Sequence, residues 1–328
     1  MKHFEVDAIF NIQSQDEFDS LALQTFKFQY YNNTVYQTFC NHLKRNPYNI
    51  KEVSEIPFLP IQFFKSKKIV ATKSSAEVIF KSSGTTGTKT SKHFVSDTSI
   101  YEDSYLKGFK YFYGDIEDYC ILALLPSYLE REGSSLIYMV NDLIKKSNHP
   151  ESGFYLNDLH KLKTKLEELK KSDVKVLLVG VSFALLDLVE KYNLLVPNTV
   201  VMETGGMKGR RKEIIRNELH TILKKGLGVK TIHSEYGMTE LLSQAYSKGE
   251  GIFQSPPWMK VLIRDTENPL EIQSHQKTGG INVIDLANVN SCSFIATQDL
   301  GKTNKDGAFE ILGRFDHSDI RGCNLMAL

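Results

Sequence analysis

Cysteine is scarce in this chain of 328 residues: there are four, Cys40, Cys120, Cys292 and Cys323. None stands in a CxxC pair or beside a histidine at zinc spacing, which excludes a disulfide scaffold and a cysteine–zinc module. Scattered thiols in a chain of this length point to a reducing compartment, and the chain reads as cytoplasmic. An excess of charge is missing too. Forty Lys+Arg face 39 Asp+Glu, a net charge of +1, which speaks against a protein built around nucleic acid or a charged membrane surface. No window approaches the roughly 18 uncharged apolar residues of a membrane span. The first apolar stretch is broken by charge within a few residues, so it does not read as a signal peptide. Proline is limited to 9 residues, and neither a low-complexity tract nor a fixed repeat occurs, which excludes a mostly disordered chain and a repeat array. What is present suits a folded protein: 41% hydrophobic, 11% aromatic and 24% charged residues, enough for a sizeable core in one large domain or about two.

Residues 1–75 are rich in aromatics. Leu21, Leu23, Phe26, Tyr30, Tyr36, Phe39 and Leu43 recur at roughly helical spacing and predict two helices joined near Asn32 and Asn33. The run Ile56-Pro57-Phe58-Leu59-Pro60 breaks that pattern. Over residues 76–255 the rhythm becomes strand–helix alternation. Apolar runs stand at Ala76–Phe80, Tyr119–Leu125, Val174–Val179, Thr199–Met202 and Lys230–His233. Between them lies a helical pattern on Leu156, Leu159, Leu162, Leu166 and Leu169, with Asn157 and Asp158 placed as caps. Another runs from Arg210 to Lys225 and ends at Gly226 and Gly228, which suit a C-terminal cap. The class is therefore α/β, with a doubly wound, mainly parallel sheet. Residues 256–312 carry short strands at Met259–Arg264, Gly280–Leu286, Ser293–Thr297 and Ala308–Leu312, separated by turns. They predict a smaller antiparallel β subdomain. Residues 313–328 form a hinge-like tail that carries Cys323.

Four segments bear on chemistry. Ser82-Ser83-Gly84-Thr85-Thr86-Gly87-Thr88 follows an apolar run and is flanked by Lys89 and Lys92. Two glycines three apart let the backbone turn tightly and aim successive N–H groups at an anion, while the hydroxyls and lysines add donors and charge. The spacing is not that of a Walker A loop. Two readings stand: a phosphate-gripping loop, or a Ser/Thr/Gly surface loop. In Tyr236-Gly237-Met238-Thr239-Glu240, an aromatic face for a base precedes a hydroxyl and a carboxylate suited to Mg²⁺; a turn that starts a helix is the plainer alternative. Asp299, expected just past a strand, could accept both hydroxyls of a ribose, and Arg314 could pair with that ribose or a phosphate. Their plain alternatives are a turn residue beside Gly301 and a surface ion pair. His93 and His233 flank two of these segments and could face a ligand or lie in the core. Cys40, Cys120 and Cys292 read as small core residues.

Taken in this order, these segments resemble the adenylate-forming superfamily of acyl and aryl ligases over residues 76–322. The resemblance implies that Ser82, Ser83, Gly84, Thr85, Thr86, Gly87 and Thr88 hold phosphate, with Lys92 beside them among the catalytic candidates. It implies that Tyr236 and Gly237 lie on adenine, Thr239 contacts phosphate and Glu240 holds Mg²⁺. Asp299 matches the ribose-binding Asp, Arg314 the Arg of the hinge motif, and Gly205 with Gly206 the turn along adenine. ATP and Mg²⁺ are thus the expected cofactors. Within that superfamily the chain is similar to the acyl-protein synthetases of bacterial luminescence, the long-chain-fatty-acid–protein ligases. The carriers are Ile56–Lys65, Leu125–Ser135 and the ending Asp319-Ile320-Arg321-Gly322-Cys323-Asn324. Superfamily members continue into a lid domain of about 100 residues, the size of a small domain, with an assisting lysine. The sequence ends five residues after Cys323, and the expectation is a large domain without that lid.

The resemblance makes Cys323 the acceptor of the acyl group as a thioester, with Arg321 favouring the thiolate. A carboxylic acid, by resemblance a fatty acid, would be the substrate, and an acyl reductase the protein partner. Two other readings stand beside this one. In the first, acyl or aryl groups pass to an external acceptor such as coenzyme A. In the second, the chain is a nucleotide-binding module without turnover.

Overall fold

Ser14 opens the first long helix, its hydroxyl accepting from the backbone of Glu17, which meets one of the donors a helix start leaves unpaired. The computed structural model describes residues 6–82, 90–126, 133–156, 158–205, 211–212 and 214–315. Two units emerge. The first comprises Met1–Ser104, Glu240–Ser243 and Gln254–Leu328, the second Tyr105–Thr239 and Gln244–Phe253.

The first unit begins with α1 (Val6–Ile9), α2 (Gln15–Asn32) and α3 (Thr34–His42). The two predicted helices are thus present, parted at Asn33, whose side chain caps α3 by accepting from Tyr36. Their buried face differs from the sequence pattern. Phe18, Ala22, Thr25, Phe26 and Gln29 face inward on α2, and Tyr36 and Cys40 on α3. Tyr36 stacks on Phe294, with centroids 6.1 Å apart, and its hydroxyl donates to the Pro57 carbonyl at 2.7 Å. Next come β1 (Leu59–Pro60), α4 (Phe63–Ser66), β2 (Val78–Lys81) and β3 (Lys92–Val95). The apolar run predicted as the first strand of the parallel sheet is instead one arm of a two-stranded antiparallel hairpin, β2 with β3. A short apolar run records burial but not the identity of its partner strand.

The helix α5 (Thr98–Tyr113) carries the chain into residues of the second unit. There β4 (Tyr119–Leu124), α6 (Ser135–Ser147), β5 (Gly153–Phe154), α7 (Leu159–Leu169), β6 (Lys175–Val181), α8 (Ser182–Lys191), β7 (Thr199–Thr204), α9 (Arg216–Leu227) and β8 (His233–Tyr236) alternate as expected. They are followed by β9 (Ala245–Ser247) and β10 (Ile252–Gln254). The order across the sheet is β10–β9–β8–β7–β6–β4–β5. β5, β4, β6, β7 and β8 run parallel, and β9 is antiparallel to β8. β4 is buried along its whole length, which accounts for its unbroken apolar sequence. Asp158 caps α7 by accepting from Lys161. Gly228 closes α9 in the left-handed region, φ +64°, where a side chain would be strained.

Back in the first unit, β11 (Met259–Arg264), β12 (Gly279–Asp285), β13 (Phe294–Thr303) and β14 (Phe309–Arg314) form an antiparallel meander. β1 adds a parallel edge contact to β13, Leu59 opposite Ile295. Among the described residues, no helix is long and apolar enough to cross a membrane.

Candidate active site

In the second unit the site residues gather at the C-terminal ends of β7 and β8, the edge at which open α/β sheets take ligands. β8 runs three residues further than the predicted run, through polar Ser234 and Glu235, and so ends at Tyr236 itself. Thr204 and Glu235 are register partners on the two strands, and the Thr204 hydroxyl donates to Glu235 Oε2 at 2.5 Å. Gly205 follows at φ +66°, and its carbonyl accepts from the Ser182 hydroxyl at 2.8 Å. Tyr236 is buried, its ring tilted toward Phe253 with centroids 6.1 Å apart. Gly237 sits directly on the Glu235 carboxylate and against Gln244, so a Cβ there would collide with Glu235 Oε1. Thr239 is half-buried. On the opposite face of β7, Glu203 lies 3.7 Å from Arg216 and 3.6 Å from His220.

Glu235 also lines one end of an apolar cavity of about 20 Å³, with Leu136, Met139, Val140 and Met202 along its walls. Burial pushes the Glu235 carboxyl up to about 7, against the Thr204 hydrogen bond and with a smaller upward push from Glu203. The sign of the pH effect follows. The folded chain keeps this proton up to about pH 7, whereas the ordinary value is 4.5. Folding therefore loses stability as pH rises through that window. Glu235→Gln, which keeps an acceptor for Thr204, should gain on the parent by about 2–3 kcal/mol between pH 5 and pH 8. Denaturant midpoints at the two pH values check this, and an unchanged gap between the chains contradicts it.

In the first unit, Ser82 and Ser91 close the base of the β2–β3 connection: Ser82 N donates to the Ser91 carbonyl at 3.1 Å and Ser91 N to Ser82 Oγ at 2.9 Å. Ser83, Gly84, Thr85, Thr86, Gly87 and Thr88 lie outside the described residues, as do Gly206 and Cys323. Lys92 is exposed at the start of β3, opposite Lys81. Glu240 is 5% exposed. Burial raises its carboxyl above the usual range, while a hydrogen bond from Ser91 and the charges of Arg314 and Lys65 act the other way. Asp299 is not past a strand but within β13, which continues through polar Gln298, Asp299 and Lys302 to Thr303. It stands opposite Arg314 on β14, and the two make an ion pair at 3.3 Å, the arginine side chain being 75% exposed.

Several contributors carry no motif in the sequence. Asp285, fully buried at the end of β12, accepts from the backbone of Leu242 and Ser243 and from the Ser243 hydroxyl. Asn288 donates to the Glu240 carbonyl at 2.7 Å and meets His93 at 3.0 Å. His93 is thus a core residue, edge-on to Phe64. His233 stands at the opposite end of β8 from Tyr236, 3.2 Å from the Tyr113 hydroxyl. Burial and Lys248 push it down to about 4. Cys40, Cys120 and Cys292 are buried free thiols, as expected, and burial raises Cys40 to about 12 and Cys120 to about 11. Such thiols are poor nucleophiles.

No cluster of three or more His, Cys, Asp or Glu side chains arranged for a metal occurs among the described residues. A single buried carboxylate such as Glu240 still fits Mg²⁺, which commonly binds through one or two carboxylates plus substrate phosphates.

Residues 8–131 match the family model described as "Acyl-protein synthetase, LuxE". No curated protein sequence matches the chain. Among solved structures, a 2-hydroxyisobutyryl-CoA ligase, in an open conformation with 2-HIB-AMP and CoA, superposes with TM-score 0.66 at 12% identity, over 93% of this chain and 72% of that one. ATP-bound MatB from Rhodopseudomonas palustris gives TM-score 0.55 at 16% identity, over 74% of this chain and 50% of that one. The luciferase-like enzyme of the mealworm Zophobas morio gives 0.50 at 17% identity, over 75% and 59%. The chain thus spans about half the length of the MatB structure it matches. Its fold is that of the adenylate-forming ligases, and its sequence resembles the acyl-protein synthetases.

Proposed function

We propose that this chain activates a carboxylic acid with ATP and takes the acyl group on Cys323. In the first step a carboxylate oxygen attacks the α-phosphorus of ATP. The P–O bond to the outer two phosphates breaks, pyrophosphate leaves with the electron pair, and an acyl adenylate forms. In the second step the Cys323 thiolate attacks the acyl carbon, its proton having gone to solvent. AMP departs and a thioester remains. The observation that carries this reading is the run from Tyr236 at the end of β8 to the buried carboxylate of Glu240, in a fold shared with a ligase that binds an acyl-AMP.

Each residue has a task on this reading. Ser82 to Thr88, with Lys92, grip the phosphates. Tyr236, with Gly205, Gly206 and Gly237, lies along adenine, Asp299 takes the ribose hydroxyls, and Arg314 reaches ribose or phosphate. Thr239 donates to phosphate oxygen. Glu240 would hold Mg²⁺, which when bound neutralises charge on the phosphate oxygens. The acid would be a carboxylic acid, by resemblance to the acyl-protein synthetases a fatty acid. An acyl reductase would be the partner that accepts the thioester.

The test supplies labelled acids with ATP to the full chain. AMP and pyrophosphate should appear only with a suitable acid, and label should remain on the denatured protein until hydroxylamine releases it. Label persisting in Cys323→Ser would remove the acceptor role. A second reading is favoured by the coenzyme A in the 2-hydroxyisobutyryl-CoA ligase structure: release of the acyl group to an external thiol. It predicts that Cys323→Ser is as active as the parent and that product forms only when coenzyme A is added.

A further inference from the structure

The segment Glu240–Ser243 is neither helix nor strand, so no ladder satisfies its backbone. Side chains do so instead. Asp285 Oδ2 accepts from Leu242 N at 2.7 Å and from Ser243 N at 3.1 Å, and Oδ1 accepts from the Ser243 hydroxyl at 2.5 Å. Asn288, three residues further on, holds the Glu240 carbonyl. The direction of the chain of bonds behind Ser243 is fixed. Trp258 Nε1 can only donate, and it donates to Ser104 Oγ at 3.0 Å. Ser104 then donates to Ser243 Oγ, 3.0 Å away, and Ser243 donates to Asp285. Every donor converges on a carboxylate that only accepts. An amide in its place must turn its NH₂ toward either two backbone N–H groups or the Ser243 hydroxyl.

We propose that Asp285 is a positioning residue of the site: by clamping the backbone at Leu242 and Ser243, its carboxylate sets where Glu240 presents its own. The inference rests on the reading of Glu240 as the residue that takes Mg²⁺. Asp285 acts two residues downstream of Glu240, from a fully buried position at the end of β12. Apart from the Ala287 backbone in its own turn, the hydrogen-bond partners of its carboxylate lie in that segment. Substituting it should therefore weaken what Glu240 does and little else.

The test uses the full chain as Asp285→Asn, Glu240→Gln and the double variant. ATP binding is measured by calorimetry in Mg²⁺ and in EDTA, and amide exchange is followed over residues 239–245. Asp285→Asn should leave affinity in EDTA within about twofold, cut the gain given by Mg²⁺ about tenfold, and speed exchange at Leu242 and Ser243 about tenfold or more. On the Glu240→Gln background, Asp285→Asn should cost less than about twofold further, because its target is gone. Equal losses in EDTA and Mg²⁺, or losses that multiply in the double variant, would mean a merely structural role and overturn the proposal. A Mg²⁺ gain untouched by Glu240→Gln would overturn the metal reading itself, and this inference with it. Should Asp285→Asn not fold, Ser243→Ala removes one of the three bonds and should show the same pattern at about twofold to fivefold; no change in its Mg²⁺ gain would count against the clamp.

Discussion

Alanine in place of Asp299 is expected to raise the ATP concentration for half-maximal AMP release about a hundredfold, while turnover at saturating ATP stays within a few-fold. The magnitude follows from the proposed contact. A carboxylate that accepts both hydroxyls of a ribose makes two charge-assisted hydrogen bonds of about 1.5–3 kcal/mol each, and a hundredfold corresponds to about 2.7 kcal/mol, just under the lower end of their sum. The split follows from position: ribose is remote from the phosphorus that reacts, so its binding is uniform between ground and transition states. The ion pair itself should count for little in stability. Asp299 pairs with an Arg314 side chain that is 75% exposed, and such an arginine remains solvated without its partner. Steady-state kinetics over ATP, alongside thermal melting, measure both halves. A half-saturation value within about threefold of the parent would remove Asp299 from the nucleotide site. A collapse of the melting temperature would assign it to the fold instead.

The same strand shows where the sequence was legible and where it was not. Elements buried on both faces read directly: β4 and β6 are continuous apolar runs, and strand–helix alternation gives the parallel class of their sheet but not the order of its strands. Elements that carry candidate site residues read short. β13 was expected to stop at Thr297 and β8 at His233, because Gln298, Asp299, Ser234 and Glu235 look like loop residues. The structure continues both strands through them, to Thr303 and to Tyr236, and thereby places the candidates Asp299 and Tyr236 within strands. The face of α2 was misplaced for a related reason: Thr25 and Gln29 are polar yet lie on its buried side. Local motifs named Glu240, Asp299 and Arg314. Asp285 and Asn288 had no spacing to betray them, since their partners are distant in sequence and chiefly backbone.

Gln29→Leu should lower the stability of the first unit by about 2–6 kcal/mol, more than a polar-to-apolar change in a buried helix face normally would. The leucine is similar in volume and better suited to an apolar surrounding, so packing alone would favour it. Hydrogen bonding decides the other way. Gln29 has no exposed surface. Its Nε2 donates to the carbonyls of Asn288 at 3.0 Å and Val289 at 2.8 Å and lies 3.1 Å from Ser293 Oγ, and its Oε1 accepts from Ser293 N at 2.9 Å. One side chain thus satisfies the buried backbone of the connection between β12 and β13. Asn33 does the same for the Ser291 carbonyl, at 2.9 Å. Leucine would strand the Val289 carbonyl and the Ser293 amide, each at about 1–3 kcal/mol, while the Asn288 carbonyl still accepts from Ser291 N at 3.1 Å. Asn288 also holds the Glu240 carbonyl, so loosening this connection should weaken Mg²⁺-dependent ATP binding as well as lower the denaturant midpoint. With two units the unfolding need not be two-state, so the midpoint is best followed by amide exchange at residues 286–293. A loss below about 1 kcal/mol there would mean that the connection finds other partners when Gln29 is gone.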